Sequence, residues 1–391
     1  MFPDMKRLFI SALAIITSAV ILFTGFTAEA ANGREINSKY EEITAYLKSC
    51  PSPGVGAVGG DWLIMGLARG GCLDEKTAEA YYKDVEKYVK GKNSAYLHRS
   101  KVTENVRVAL ALTAIGKNPE IVAGRNLLEP IADLSFVRKQ GFNGSVWSLI
   151  ALDSLQYEIP SNPKAKELTT RDLLIGDILD AQSEGGGWDI NGVGADPDMT
   201  AMAVQALAPY TSKPEVRQAI EKALAVLSEK QLENGSFNTY GEDTPESCAQ
   251  VIVALGSIGV NCESDERFLK KGNSPIDGLM SFSTENGFEH LKGEGFNQMA
   301  TEQGYYALVS YQRLTSGKTS LYDMCDLLLP YDVNFDGRVN INDATLIQKQ
   351  VARLVELNLR ATKIADVNRS GKIDINDATD TQKKAAGYEG Y

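Results

Sequence analysis

Gln182 to Leu207 reads QSEGGGWDINGVGADPDMTAMAVQAL. It ends one helical pattern, turns through a glycine cluster that buries a single aromatic, Trp188, and opens a new helix at Asp196-Pro197. Asp is a good N-cap. Proline fits the first helical position because the N–H it lacks has no intrahelical partner there. Met199, Met202, Ala203, Ala206 and Leu207 recur at helical spacing and make one apolar face. The small residues Ala201, Ala203 and Ala206 predict a helix set deep in a crowded interior.

The same phrase occurs twice more. Residues 231–255, QLENGSFNTYGEDTPESCAQVIVAL, put Phe237 in the place of Trp188 and Thr244-Pro245 in the place of Asp196-Pro197. Residues 282–308, FSTENGFEHLKGEGFNQMATEQGYYAL, put Phe288 in the aromatic place. A repeat of about 50 residues implies stacked supersecondary units rather than one irregular core. Each unit is an outer helix, a Gly-aromatic turn and an inner helix.

Applied to the whole chain, this grammar pairs 35–49 with 61–67, 75–90 with 102–115, a shorter segment 119–133 with 141–155, 168–182 with 197–208, 214–230 with 245–256, and 274–283 with 299–313. No strand pattern stands out. Six hairpins close naturally into a ring, so the predicted class is all-α, an α6/α6 toroid with an inner barrel and an outer sleeve. The motif Gln-x-x-x-Gly-x-aromatic, at Gln182…Gly186-Gly187-Trp188 and Gln231…Gly235-Ser236-Phe237, resembles that of the terpenoid cyclase and protein prenyltransferase superfamily. Nearer still is a resemblance to secreted prenyltransferase/squalene-oxidase repeat proteins of anaerobic bacteria. The resemblance covers about residues 35–328. It implies a toroid domain over 31–328 and, among its members, class II cyclases and cobalamin carriers.

A different grammar starts after Pro330. Asp332, Asn334, Asp336, Asn340 and Asp343 place oxygen side chains at positions 1, 3, 5, 9 and 12 of a loop, with Gly337 at position 6 and the Arg338 carbonyl at 7. This is a calcium loop of the EF-hand type. It recurs 34 residues on as Asp366, Asn368, Ser370, Gly371, the Lys372 carbonyl, Asp374 and Asp377, so two Ca²⁺ ions are expected. Helical stretches follow each loop, Ala344–Leu357 and Ala378–Ala386, with none of comparable length before either. This loop-helix duplicate, 331–391, resembles a type I dockerin, the module that docks proteins onto cohesins of a cellulosome scaffoldin. The resemblance assigns partner choice to Ile341, Asn342, Gln348 and Lys349, and to Ile375, Asn376, Gln382 and Lys383. Dockerins usually carry Gly at position 4, where this chain has Phe335 and Arg369.

The chain has 391 residues and a net charge of −11, which argues against nucleic acid as a partner. Lys6-Arg7, an apolar run Leu8–Phe23 and Ala28-Glu29-Ala30 read as a secretory signal peptide over 1–30, with no later segment able to span a bilayer. A secreted, extracellular protein on a cell-surface cellulosome is the expectation. Of five cysteines, Cys50 and Cys72 could pair across the first hairpin.

Chemistry in the toroid is harder to place. Asp196-Pro-Asp198-Met-Thr resembles the Asp-x-Asp-Asp-Thr of class II cyclases, in which the middle carboxyl, here Asp198, is the acid, but Met199 replaces the third carboxylate. The plainer reading makes Asp196 an N-cap and Asp198 a first-turn carboxylate facing the helix dipole. Asp61, Trp62, Arg107, Trp147, Gln298 and Glu302 are candidates for lining the central cavity, with Asp196, Asp198 and Glu302 as candidate catalytic carboxylates. An ion pair of Arg107 with a neighbouring carboxylate is the structural alternative, and Trp62, Trp147, Tyr305 and Tyr306 could stack a sugar or belong to the core. Three functions are compatible: action on or binding of plant polysaccharide, for which the sequence offers no carboxylate pair, carriage of a small ligand, and cyclase chemistry.

Overall fold

The computed structural model describes residues 33–51, 53–192, 194–335 and 338–388. The signal-peptide reading, and Asp336 with Gly337 in the first loop, lie outside the described residues.

Six inner helices follow the predicted order: α2 (Asp61–Arg69), α4 (Val102–Ala114), α6 (Phe142–Ser154), α8 (Pro197–Leu207), α10 (Pro245–Ser257) and α12 (Gln298–Thr315). Each packs on the next, and α12 packs back on α2, which closes the ring. The outer sleeve is α1 (33–49), α3 (Glu75–Lys92), α5 (Leu134–Val137), α7 (Arg171–Asp180), α9 (Pro214–Lys230) and α11 (Pro275–Met280). The third outer element is a stub rather than the helix expected over 119–133. Pro119 and Pro130 interrupt it, and Ala123 and Gly124 take positive φ of 49° and 75°, leaving only a 3₁₀ turn at Glu129–Ala132 before α5. Short antiparallel ladders, Asn238–Thr239 with Glu242–Asp243 and Ser283–Thr284 with Gly287–Glu289, tie the repeat turns. They are too short to leave an alternating pattern in the sequence.

The Gln-x-x-x-Gly-x-aromatic phrase links neighbouring outer helices. Gln182 Nε2 donates to the carbonyls of Gly186 (2.7 Å) and Ala219 (2.9 Å), the latter one repeat away. Gln231 repeats this with Gly235 and Phe268. Gly235 has φ +86°, and a Cβ there would stand 2.1 Å from the Ser274 carbonyl oxygen, so no larger residue fits. Trp188 is fully buried and its indole N–H donates to the Ile178 carbonyl at 2.6 Å.

The C-terminal module holds α13 (Ile341–Val351), α14 (Leu359–Ala365) and α15 (Ile375–Ala385), with α13 packed on α15 over a small core of Val333, Ile347, Ala361, Ala365 and Ala378. Two details depart from the sequence reading. The first helix stops at Val351, where Arg353 turns to φ +58°, and the short α14 precedes the second loop. The module is clipped to the toroid by Arg360. Its guanidinium lies between the rings of Tyr157 (4.6 Å) and Phe335 (5.0 Å) and pairs with Glu120 at 2.9 Å. Phe335 thereby has a packing reason to occupy position 4. All five cysteines are free thiols, and Cys50 and Cys72 do not pair; each donates to a carbonyl of its own turn, Tyr46 and Gly70.

Candidate functional site

An antiparallel outer element separates consecutive inner helices, so all six inner helices run parallel and their N-termini gather at one mouth of the ring. Aromatic side chains close the lumen below it. Trp62 meets Trp147 at 5.4 Å and Tyr306 at 6.0 Å, and Trp147 meets Tyr322 at 6.0 Å. Gln250 Nε2 donates to Tyr306 Oη (2.7 Å) and Gln303 Oε1 (3.1 Å), and Gln205 donates to Gln250. Trp147 and Tyr306 are thus core, while Trp62 stays half-buried at the top of the stack.

Several predicted lining residues face the wrong way for a cavity. Asp61 is fully buried and accepts from Tyr81 Oη (2.6 Å) on α3 and from Arg107 Nε (2.5 Å), with Arg107 also paired to Glu104. This is the structural ion pair, turned towards the sleeve. Tyr305 stacks on Tyr40 of α1 at 5.3 Å. Glu302, on the same side of α12, accepts from Gly59 N–H (2.8 Å) and Gln298 Nε2 (2.7 Å), and Gln298 in turn accepts from Tyr46. A helical period cannot tell lumen from sleeve when both faces of an inner helix are buried.

Glu302 Oε2 is nevertheless sealed and without a partner, and two further carboxylates, Asp198 and Glu246, share that feature at the start of α8 and α10. Asp196 is the N-cap of α8, accepting from Met199 N–H at 2.8 Å, and Met199 is buried where a cyclase would place its third carboxylate. Asp198 is in the first turn of α8, but Oδ1 is sealed from solvent and has no partner. The helix dipole alone would hold its carboxyl low. Burial, aided by the charges of Asp196 and Glu246 and opposed by a hydrogen bond with Ser247, pushes it up to about 7. Glu246 occupies the matching position on α10, directly after that helix's first-turn proline. It is 6% exposed; Oε1 accepts from His290 Nδ1–H at 2.9 Å, and Oε2 is sealed and without a partner. Burial holds the Tyr306 hydroxyl well above its ordinary range, and both carboxylates are near enough to add to that shift. Sequence reading missed Glu246, although Asp-Pro-Asp and Thr-Pro-Glu already stood in register.

Asp198 carries a testable sign. Its folded-state pKa lies above the ordinary 3.8, so its contribution to stability is fully present below about pH 4 and is lost as pH rises through about 7. Asp198→Asn should therefore melt with wild type near pH 4 and above it at pH 8. At about 1.4 kcal/mol per pH unit, discounted for partial exposure, the gap is on the order of 2 kcal/mol. Melting curves at the two pH values check it; a gap of equal size at both would contradict the buried-acid assignment.

In the C-terminal module the expected calcium ligands are partly pre-set. Asp366 accepts from the amides of Ser370 (2.9 Å) and Gly371 (2.7 Å), with Gly371 at φ +84°. Asp377 spans the loop, accepting from Asn368 (3.3 Å) and Asp374 (2.8 Å), and Asp343 does the same with Asn334 and Asn340. Asp343 and Asp377 are fully buried and Asp332 nearly so. Among the described residues no three His, Cys, Asp or Glu side chains stand together as a metal site. The fit therefore depends on mixed oxygens: carboxylates with the Asn334, Asn340 and Asn368 amides, the Ser370 hydroxyl and the Arg338 and Lys372 carbonyls, a donor set that suits hard Ca²⁺. Ile341 and Ile375 are 57% and 54% exposed, with Asn342 and Asn376 exposed beside them. Lys349 is exposed, whereas Lys383 pairs with Asp380 at 3.1 Å; Gln348 and Gln382 are half-buried.

Residues 330–382 match the family model described as the dockerin type I domain. No curated protein matches the chain. Among solved structures it is similar to an unsaturated glucuronyl hydrolase of Bacillus sp. GL1, described as responsible for the degradation of glycosaminoglycan. The TM-score is 0.44 and the identity 12%, over 74% of this chain and 98% of that one. Among the described residues no helix is long and apolar enough to cross a membrane.

Proposed function

We propose that this protein is an exported component of a cellulosome-type complex, held to a scaffoldin cohesin by a calcium-loaded dockerin and presenting a toroid that hydrolyses plant polysaccharide. Export by residues 1–30, domain limits of 31–328 and 331–391, and descent of the toroid from prenyltransferase-like repeats belong to the same reading. The observation that carries the toroid's part is the pair Asp198 and Glu246, each with a sealed, unpartnered oxygen on neighbouring inner helices. Glycoside hydrolysis uses two such carboxyls. Asp198, holding its proton near neutrality, gives it to the glycosidic oxygen as the C–O bond breaks. Glu246, oriented by His290, accepts a proton from the water that attacks the anomeric carbon. Half-buried Trp62 offers a ring face to a sugar.

For the dockerin, one Ca²⁺ would be held by Asp332, Asn334, Asp336, the Arg338 carbonyl, Asn340 and Asp343. The second would be held by Asp366, Asn368, Ser370, the Lys372 carbonyl, Asp374 and Asp377. The ions supply the positive charge that buried carboxylates need. Exposed Ile341 and Ile375 support two alternative cohesin faces related by a pseudo-twofold. Replacing Ile341 and Asn342 should lower affinity by less than about tenfold, and replacing Ile375 and Asn376 as well should abolish binding. Titration calorimetry against cohesins measures both; total loss in the first variant would show that one face alone binds. Release of reducing ends from cell-wall polysaccharides tests the toroid.

A further inference from the structure

The lumen has a second opening, and it is furnished differently. At the C-terminal ends of the inner helices lies a cavity of about 440 Å³, within the range of small-ligand sites. The segment after α12 crosses this mouth. Arg69 and Arg313 pin it, donating to the Leu321 carbonyl (2.8 Å) and the Thr319 carbonyl (2.8 Å) and both pairing with Asp326. That crossing carries Tyr322 inward against Trp147. Tyr322 lines the cavity and is 8% exposed, yet its hydroxyl has no partner. Gln205, 5% exposed, lines the same cavity, and its Oε1 is likewise buried without a partner. One buried donor and one buried acceptor, on two residues that line a single cavity, are thus without a protein partner, and a buried polar group without a partner is costly.

We propose that this cavity binds a neutral polyol of mono- to disaccharide size. A sugar hydroxyl both donates and accepts, so it answers the Tyr322 hydroxyl and the Gln205 carbonyl together, while its C–H face lies against Val253 and Leu321. Lys363 and Asp323, one of each sign, stand at the lining and favour a ligand without net charge. Asp153 is also there but is already held by Arg171 (2.8 Å) and the Tyr210 hydroxyl (2.7 Å). Lys363 comes from α14 of the dockerin, so the site is completed by both parts of the chain. It is separated from Asp198 and Glu246 by the aromatic stack, which makes it a binding site and not part of the hydrolytic mouth.

Isothermal titration of the full calcium-loaded chain with glucose, cellobiose and xylobiose tests the site. Saturable binding of at least one is expected. Tyr322→Phe and Gln205→Met should each weaken it by about tenfold or more, since each removes one hydrogen-bonding partner. Tyr322→Phe should leave the melting temperature unchanged or raised, because the lost hydroxyl has no protein partner. Failure of all three sugars to bind saturably overturns the proposal, as does binding that survives both Tyr322→Phe and Gln205→Met.

Discussion

Chelating calcium should melt α13 to α15 while the toroid stays folded. The module's buried cluster is Val333, Ile347 and three alanines, with Leu346, Leu357, Ile364 and Ile373 only partly buried around it. Units this small rarely hold together on apolar burial alone. Against that, Asp343 and Asp377 are fully buried. Gathering ionised carboxylates away from water costs several kcal/mol each unless a cation meets them. Their backbone N–H partners orient them but bring only partial charge. Circular dichroism with EDTA should therefore lose the helical signal of these helices and regain it with excess Ca²⁺. Proteolysis in EDTA should trim the chain to a core ending near Pro330. A helical signal and cleavage pattern indifferent to EDTA would contradict the calcium assignment.

The second large effect is on catalysis. Glu246→Gln keeps the shape and the His290 contact but removes the base, and Asp198→Asn removes the transferable proton. Each should cut polysaccharide hydrolysis by about 10²–10⁴-fold. The wild-type rate should fall as pH rises past about 7, where Asp198 gives up its proton. If either variant retains full rate while melting like wild type, the pair is structural and not catalytic. A fall of rate in Glu302→Gln alone would move the chemistry to α12, where the geometry shows a carboxylate turned towards the sleeve.

The ring was legible because the repeat is written in residues with strict local demands. Proline at N1 and an Asp or Thr cap mark where α8 and α10 begin, and Gly186, Gly235, Trp188 and Phe237 mark the turns before them. The third hairpin defeated the same grammar because Pro119 and Pro130 break a helix that hydropathy alone would continue. The dockerin was legible for a similar reason: its loop residues recur at a fixed spacing along the chain. The toroid site was not. Whether Glu302 and Asp61 face lumen or sleeve depends on which neighbour captures them, Gly59 in one case and Arg107 in the other, and those partners lie 243 and 46 residues away. Glu246 became visible only once its Oε2 was seen to be sealed and unpaired beside Asp198.

The most direct measurement is the release of new reducing ends from a panel of purified plant cell-wall polysaccharides by the calcium-loaded chain near pH 6, with Glu246→Gln run in parallel. Release from at least one polysaccharide, lost in the variant, is the expected result. No release from any of them by a chain that still binds cohesin would contradict the assignment of Asp198 and Glu246 as a hydrolytic pair.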